Sequence, residues 1–385
     1  MRGALVPVGT RYFATRMESA AGAQRLRASW PHHEVAPLSS GTAALAVALR
    51  ACRRLRPVAA PRVIVPGYGC PSLIAACVAA GCEPVLVDLQ PGRWGYSNEL
   101  QAALTGAVVA VLAVDLLGVG DGAAELGALC NPRGIPIVQD SAQSIPPDPR
   151  RDWSADLVVL SFGRGKPLNL LGGGALLYRA AVADAVRTEF ASLPVAADAG
   201  LPQRLKGVAY NLLTARTPYA LVRKLPGLGL GDTRYEALTA PRRLDPRTCG
   251  AIATALDAYE AQPDPAQQWL QESLPQLEAA GYRALAGSRW PSHPARLLRF
   301  PLLAPDPATA RRADDALSRA GLGSSRMYER ELPRIDGLPA NVSRQGPLPN
   351  AAALAARLLT LPLHHRVRRD DAGSIVAILL SCVER

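Results

Sequence analysis

The chain has 385 residues (40.6 kDa), 49% of them hydrophobic, with a mean hydropathy of +0.06 and a formal net charge of +11. That length exceeds one ordinary core and predicts two domains, and the hydrophobic fraction excludes a disordered chain. Aromatic residues make up only 5%, too few for base-stacking platforms, so the positive field suits an anionic small substrate better than nucleic acid.

The opening segment, MRGALVPVGTRYFATRMES, has no apolar run of signal-peptide length, so a cytoplasmic protein is expected. SSGTAALAVALRA (39–51) then predicts a helix starting near Thr42. VIV (63–65) reads as a strand and the stretch from Ser72 as a helix. Val63 to Cys82 is uncharged and long enough to span a membrane. It contains Pro66, Gly67, Gly69, Pro71, Ser72 and Gly81, which predicts strand, loop and helix rather than membrane insertion.

Further strands are expected at PVLVD (84–88), AVVAVLAVD (107–115), IPIVQD (135–140), DLVVLSF (156–162) and GALLY (174–178), with helices starting at Ala123 and Ala181. Strands apolar on both faces, alternating with helices, argue for a parallel sheet covered on both sides. From about residue 190 to 245 the rhythm breaks, and LPGLGLGDTRY reads as a turn-rich insertion. A smaller α+β unit follows, with strand LLRFPLL (297–303), helix ATARRADDALSRAG (308–321), strand LLTLPL (358–363) and helix DDAGSIVAILLSCV (370–383). The expected division is a large α/β domain at 1–190, an insertion at 191–248 and a small domain at 249–385. No internal repeat is visible.

Seven cysteines (52, 70, 77, 82, 130, 249, 382) form no CxxC pair and fit neither a disulfide framework nor a zinc site. The histidine pairs 32–33 and 364–365 are adjacent residues that face opposite ways on a strand, so no metal site is expected.

Only three of the 43 basic residues are lysines (166, 206, 224), and one sits in LSFGRGKPLNLLGGG. A phosphate-binding P-loop would need Gly at position 160 and Ser or Thr at 167, but these are Leu160 and Pro167. GVGDGA (118–123), with Asp140 20 residues beyond Gly120, imitates a dinucleotide fingerprint but leaves Lys166 without a role. A third reading uses all the parts. Ligands of open α/β sheets gather at the carboxyl ends of strands. Asp140 ends one strand, Ser161 nearly ends the next, and Lys166 lies just beyond. Ser40, Gly41 and Thr42 stand at a helix N-terminus, where backbone N–H groups and the dipole suit a phosphate. An acid, an anion cradle and a lysine are what pyridoxal 5′-phosphate requires.

LSSGTAALAVAL, VIVPGY, PVLVDL, VQDSAQS and LSFGRGK…GGGALLY, in this order, resemble the DegT/StrS family of pyridoxal-phosphate-dependent nucleotide-sugar aminotransferases. The resemblance covers about residues 36–180, and fragments such as SRMY (325–328) and LTLPLHHRV extend it. It implies the fold-type I aminotransferase architecture, a mostly parallel seven-stranded sheet with helices on both faces and a smaller C-terminal α+β domain. It also implies a homodimer with shared active sites. Under the resemblance Lys166 binds the cofactor covalently, Asp140 faces the pyridinium nitrogen and Gln143 lies near the ring hydroxyl. Ser40, Gly41, Thr42 and Ser161 contact the phosphate, while Arg243, Arg326 and Tyr328 bind substrate.

The chain departs from the family in three places. Cys70 stands where the stacking aromatic is usual, so Tyr68 is the expected substitute. The acidic residue is missing from the glycine turn LLGGGA (170–175). The partner-subunit motif Asn-x-Arg-Met survives as APRRLD (240–245), with Pro241 for the asparagine. The implied activity is transfer of an amino group from glutamate to a keto-sugar nucleotide, in cell-surface polysaccharide or secondary-metabolite synthesis. Alternatives are an enzyme of the same fold acting on another carbonyl or amino substrate, and a non-catalytic binding or regulatory protein.

Overall fold

Eleven strands form two sheets in this computed structural model, which describes residues 3–13, 19–120, 123–145, 155–198, 200–223, 233–263, 265–285 and 296–383. Parts of the expected turns at 118–123 and 225–235, and the whole of Lys224, lie outside the described residues. The strands are β1 (Glu34–Leu38), β2 (Arg62–Pro66), β3 (Glu83–Val87), β4 (Val108–Val114), β5 (Ile137–Asp140), β6 (Leu157–Ser161), β7 (Gly174–Tyr178), β8 (Arg283–Ala284), β9 (Arg299–Leu303), β10 (Ser343–Arg344) and β11 (Leu358–Pro362). All seven residues of β4, VVAVLAV, are buried, as expected of a strand covered on both faces.

The larger sheet runs β1-β7-β6-β5-β4-β2-β3-β10. From β6 to β10 neighbouring strands are parallel, whereas β7 is antiparallel to both β6 and β1. Seven strands were expected, and the eighth is the short β10. It comes from the C-terminal part of the chain and pairs Ser343 with Val85 and Arg344 with Leu86. Two residues without an apolar period give no strand signal in the sequence. The same edge is tied by Asp88, just past β3. Its carboxylate accepts from the Asn350 and Ala351 backbone N–H groups (3.1 and 2.9 Å) and from Asn350 Nδ2 (2.8 Å), at the start of the Pro349–Arg357 helix.

Helix Gly41–Leu55 lies under the sheet with a fully apolar buried row, capped by Ser40, whose Oγ accepts the Ala43 N–H at 3.0 Å. Helices Ser19–Ser29 and Pro246–Ala261 pack together on the other face, where Ile252, Ala255 and Leu256 join the core beneath β6. The boundary expected at residue 248 thus falls within a helix that returns to the large sheet. The uncharged stretch 63–82 folds as strand, loop and helix (Ser72–Ala79), as expected. Among the described residues no helix is long and apolar enough to cross a membrane, and no group of His, Cys, Asp and Glu could hold a metal ion.

Beyond the insertion, β9 pairs antiparallel with β11 and β8, and helices Pro307–Ala320 and Arg369–Ser381 cover this small sheet. Asp306 caps the first of them by accepting from Ala308 N and Thr309 N, both at 2.8 Å, and Gly321 closes it in a left-handed conformation. The region expected to be a turn-rich insertion holds two helices, Gly200–Leu213 and Arg216–Val222.

Candidate active site

The carboxyl ends of the parallel strands β4, β5 and β6 lie side by side, and Asp140 and Ser161 end two of them. Asp140 ends β5 and is 9% exposed. Its Oδ1 accepts the Ala142 N–H at 3.0 Å. Burial pushes its carboxyl pKa above the ordinary value, the Ala142 bond and the Lys166 cation pull it back, and Asp115 adds repulsion. Asp140 and Lys166 therefore share one field.

Ser161 ends β6 and faces the start of the Gly41–Leu55 helix. A Cβ added at Gly41 would stand 2.7 Å from Ser161 Cβ and 2.9 Å from its Oγ, so only glycine admits this approach. The glycine turn closes the same wall, because Gly173 N donates to Ser39 O (3.0 Å) and Phe162 N to Gly173 O (2.9 Å). Helix N-terminus, hydroxyl and glycine turn thus make one concave anion cradle, with the half-buried Thr42 at its edge. Lys166 stands on the next turn, its N–H bonded to Gly163 O at 3.2 Å.

Gln143, 8% exposed, is bound at both ends of its amide. Leu117 N donates to its Oε1 at 2.7 Å, and its Nε2 donates to the Tyr328 hydroxyl at 3.2 Å. Leu117 makes this bond from a left-handed conformation (φ 57°), a local strain held beside the site.

The aromatic contacts differ from the sequence expectation. Tyr68 is completely buried, with its ring edge-on to Trp94 (6.5 Å) and Tyr328 (5.7 Å), so it presents no open face for stacking. Tyr328 is the aromatic that meets Gln143, Cys70 and the field of Asp140. Burial raises its hydroxyl pKa well above the usual value, and the Cys70 thiol, Tyr68 and Asp140 raise it further.

Arg326 is turned elsewhere. Its guanidinium meets the carbonyls of Ala355 and Ala356 (3.5 and 3.3 Å) at the end of the Pro349–Arg357 helix, where a cation suits the dipole, and it pairs with Glu329 at 3.5 Å. Arg243 lies on the strand-like segment beside β1, with Ser39 N donating to Arg242 O (2.9 Å) and Leu244 N to Pro37 O (3.1 Å). Its Nε donates to Leu193 O at 2.9 Å, and its guanidinium lies 5.7 Å from the Phe190 ring centroid. Pro241 removes a side chain but not this backbone track.

Asp115, 2% exposed, was not singled out from the sequence. Its Oδ2 accepts from Ser141 Oγ (2.5 Å), Ser144 Oγ (3.2 Å) and Gln139 Nε2 (3.2 Å). It organises the turn that carries Asp140 and Gln143. The available signal was its place at the end of the most apolar strand.

A sheet of this order, with an acid and a lysine at its strand ends and an anion cradle at a helix N-terminus, defines the pyridoxal-phosphate-dependent aminotransferase class of fold. A solved aminotransferase of the DegT/DnrJ/EryC1/StrS group from Brucella abortus superposes with a TM-score of 0.68 at 19% identity, covering 94% of this chain and 91% of that one. Residues 20–200 match the sequence profile of the DegT/DnrJ/EryC1/StrS aminotransferase family.

Among curated relatives, the UDP-2-acetamido-2-deoxy-3-oxo-D-glucuronate aminotransferase of Pseudomonas aeruginosa is 29% identical over 120 residues, 30% of this chain. The match spans 33% of that relative's length. The UDP-N-acetyl-3-dehydro-alpha-D-glucosamine 3-aminotransferase of Acidithiobacillus ferrooxidans is 25% identical over 349 residues, 89% of this chain and 82% of the relative.

The family's cofactor is pyridoxal 5′-phosphate, and the residues present fit it. Gly41 comes so close to Ser161 that no Cβ fits between them, which sets the helix N-terminus and the Ser161 hydroxyl side by side, as an anchored phosphate requires. Among the described residues the buried carboxylate of Asp140 makes no ion pair, as suits a partner for a pyridinium nitrogen, and Lys166 shares its field.

Proposed function

We propose that the protein is a cytoplasmic aminotransferase that moves an amino group from glutamate to a keto-sugar nucleotide, working as a homodimer. The observation that carries this reading is the meeting of Lys166, buried Asp140 and the Gly41–Ser161 cradle at the strand ends. The two curated relatives, both named as aminotransferases of UDP-keto-sugars, support the substrate class.

When bound, pyridoxal phosphate supplies a reactive carbonyl carbon and a ring that accepts electrons from it. Among the described residues Lys166 is the lysine beside Asp140, and its amine would hold the cofactor and then move a proton at its Nζ. Asp140, fixed by the Ala142 N–H, would keep a proton on the ring nitrogen. Ser40, Gly41, Thr42 and Ser161 anchor the phosphate and so orient the ring. Gln143 and Tyr328, bonded to each other, would help hold the ring, with Cys70 and the buried Tyr68 packed against Tyr328. In a homodimer with shared sites Arg243 would meet the substrate phosphates of the partner's site, and Arg326 positions the loop that carries Tyr328.

The test is chemical. Purified holoenzyme should be yellow, should release 2-oxoglutarate from glutamate, and should carry the cofactor on the Lys166 peptide after borohydride reduction. Labelling at Lys206 or Lys224, or a colourless protein that releases no 2-oxoglutarate, would overturn the reading.

A further inference from the structure

Helix Gly200–Leu213 is packed with its polar side inward. Gln203 Nε2 donates to Leu170 O at 2.9 Å. Tyr12 N donates to Asn211 Oδ1 (2.9 Å), and Asn211 Nδ2 donates back to Tyr12 O (2.8 Å). Gly207 lies so close to this segment that an added Cβ would stand 2.0 Å from the Tyr12 ring. The opposite face is apolar and open. Leu201, Leu205, Val208 and Leu212 recur at helical spacing and are 65%, 61%, 54% and 63% exposed. Leu221, in the Arg216–Val222 helix that follows, is 60% exposed.

The sequence that carries this stripe is basic, although Arg216 is paired with Asp371 at 2.7 Å. Between Asp198 and Asp232 the chain contains no acidic residue but five basic ones, Arg204, Lys206, Arg216, Arg223 and Lys224. Two of the protein's three lysines are among them. Lys206 and Arg223 are exposed, whereas Arg204 stands beside Tyr12. An outward apolar stripe in a basic segment, on a helix too short to span a bilayer, has the chemistry of a helix lying in a membrane interface.

We propose that this helix docks the protein peripherally on an anionic membrane surface, with the leucines entering the acyl boundary and the cations meeting lipid phosphates. A second copy of the chain fits the stripe less well, because a two-fold pairing of the same face would bring its cations together. Such an enzyme would work at the surface of the bilayer rather than within it.

Full-length protein loaded with pyridoxal phosphate is spun with vesicles of phosphatidylglycerol and phosphatidylcholine, and with vesicles of phosphatidylcholine alone. The expected result is binding to the anionic vesicles and at least about tenfold weaker binding to the neutral ones. Leu205→Gln/Leu212→Gln should lose at least about tenfold in binding, with unchanged circular dichroism and unchanged mass in solution. In a Leu212→Trp variant the emission should shift to the blue on anionic vesicles only. Failure of the wild type to bind at low salt, or equal binding by the double variant, would overturn the proposal. So would loss of the dimer in the double variant, which would assign the stripe to a contact between copies.

Discussion

The Tyr328 hydroxyl accepts from Gln143 Nε2 at 3.2 Å, a bond that crosses 185 positions of sequence and joins the small domain to the turn after β5. Gln143 is also held by Leu117 N, so the tyrosine completes a chain of bonds running from a strained loop to the crevice. Tyr328→Phe should therefore disturb the site without unfolding it. Loss of one buried hydrogen bond, about 1 kcal/mol, should lower kcat/KM roughly fivefold. Steady-state kinetics and the thermal midpoint check this, and an unchanged kcat/KM would remove Tyr328 from the site.

Asp140→Asn separates electronics from folding. Burial raises the folded-state pKa of Asp140, so its contribution to stability is full below the unfolded value of 3.8 and is lost as pH rises through the folded value. At pH 7 the ionised carboxylate is therefore a cost in the apoprotein. The Asn variant should melt at or above the wild-type temperature at pH 7, with the difference vanishing near pH 4, while turnover falls at least about a hundredfold. Melting curves of the apo form and turnover of the holo form decide it. Near-normal turnover would refute the role.

Gly41→Ala would place a methyl 2.7 Å from Ser161 Cβ, on the wall of the anion cradle. Overpacking of this kind costs about 1–3 kcal/mol, and here it also narrows the phosphate site. Weaker cofactor retention on dialysis, measured by absorbance, is expected together with a lower melting point. Gly163→Ala, whose added Cβ would stand 3.7 Å from Ser161 Oγ, is the milder control.

The sharing of sites between subunits can be tested by mixing. Lys166→Ala and Arg243→Ala subunits should each be nearly inactive alone, and after exchange each hybrid should regain one intact site, about half the activity of a wild-type dimer. No recovery would restrict Arg243 to the role its bond to Leu193 O shows, pinning the segment beside β1.

His364 sets an acid limit. Its Nε2 lies 2.9 Å from Val6 O, and burial first, then His365, Arg366 and Arg299, push its pKa down to about 3. The unfolded chain takes up this proton near pH 6.5, so stability is unaffected above that and falls between pH 6.5 and 3. The slope for one proton is about 1.4 kcal/mol per pH unit. His364→Gln, with an amide that can still donate to Val6 O, should flatten the pH dependence of the urea midpoint by one proton. An unchanged slope would place the titration elsewhere.

Strands β2 to β7 were legible because each is a short apolar run bounded by turn residues, and burial on both faces demands that pattern. β1, EVAPL, was not legible, since Pro37 interrupts a five-residue segment whose pairing with β7 is decided by tertiary contacts. Helix Gly200–Leu213 was hidden by Pro202 and Gly207, and by an apolar face turned to solvent. Lys166 and Asp140 stood out because strand ends and a glycine turn point to a crevice. Arg326 could not be placed from sequence, because its partners are carbonyls at the end of a helix that begins 23 residues later.

The pairing of β10 with β3 has a dynamic consequence. A hinge opening the small domain away from the large one would have to break the Ser343–Val85 and Arg344–Leu86 pairs and uncap the Pro349–Arg357 helix at Asp88. The two units are stitched through the backbone along one sheet edge, so they breathe together. Substrate must then come and go past side chains and loops, and hydrogen exchange at Gln345, whose N–H donates to Leu86 O at 2.9 Å, should be slow.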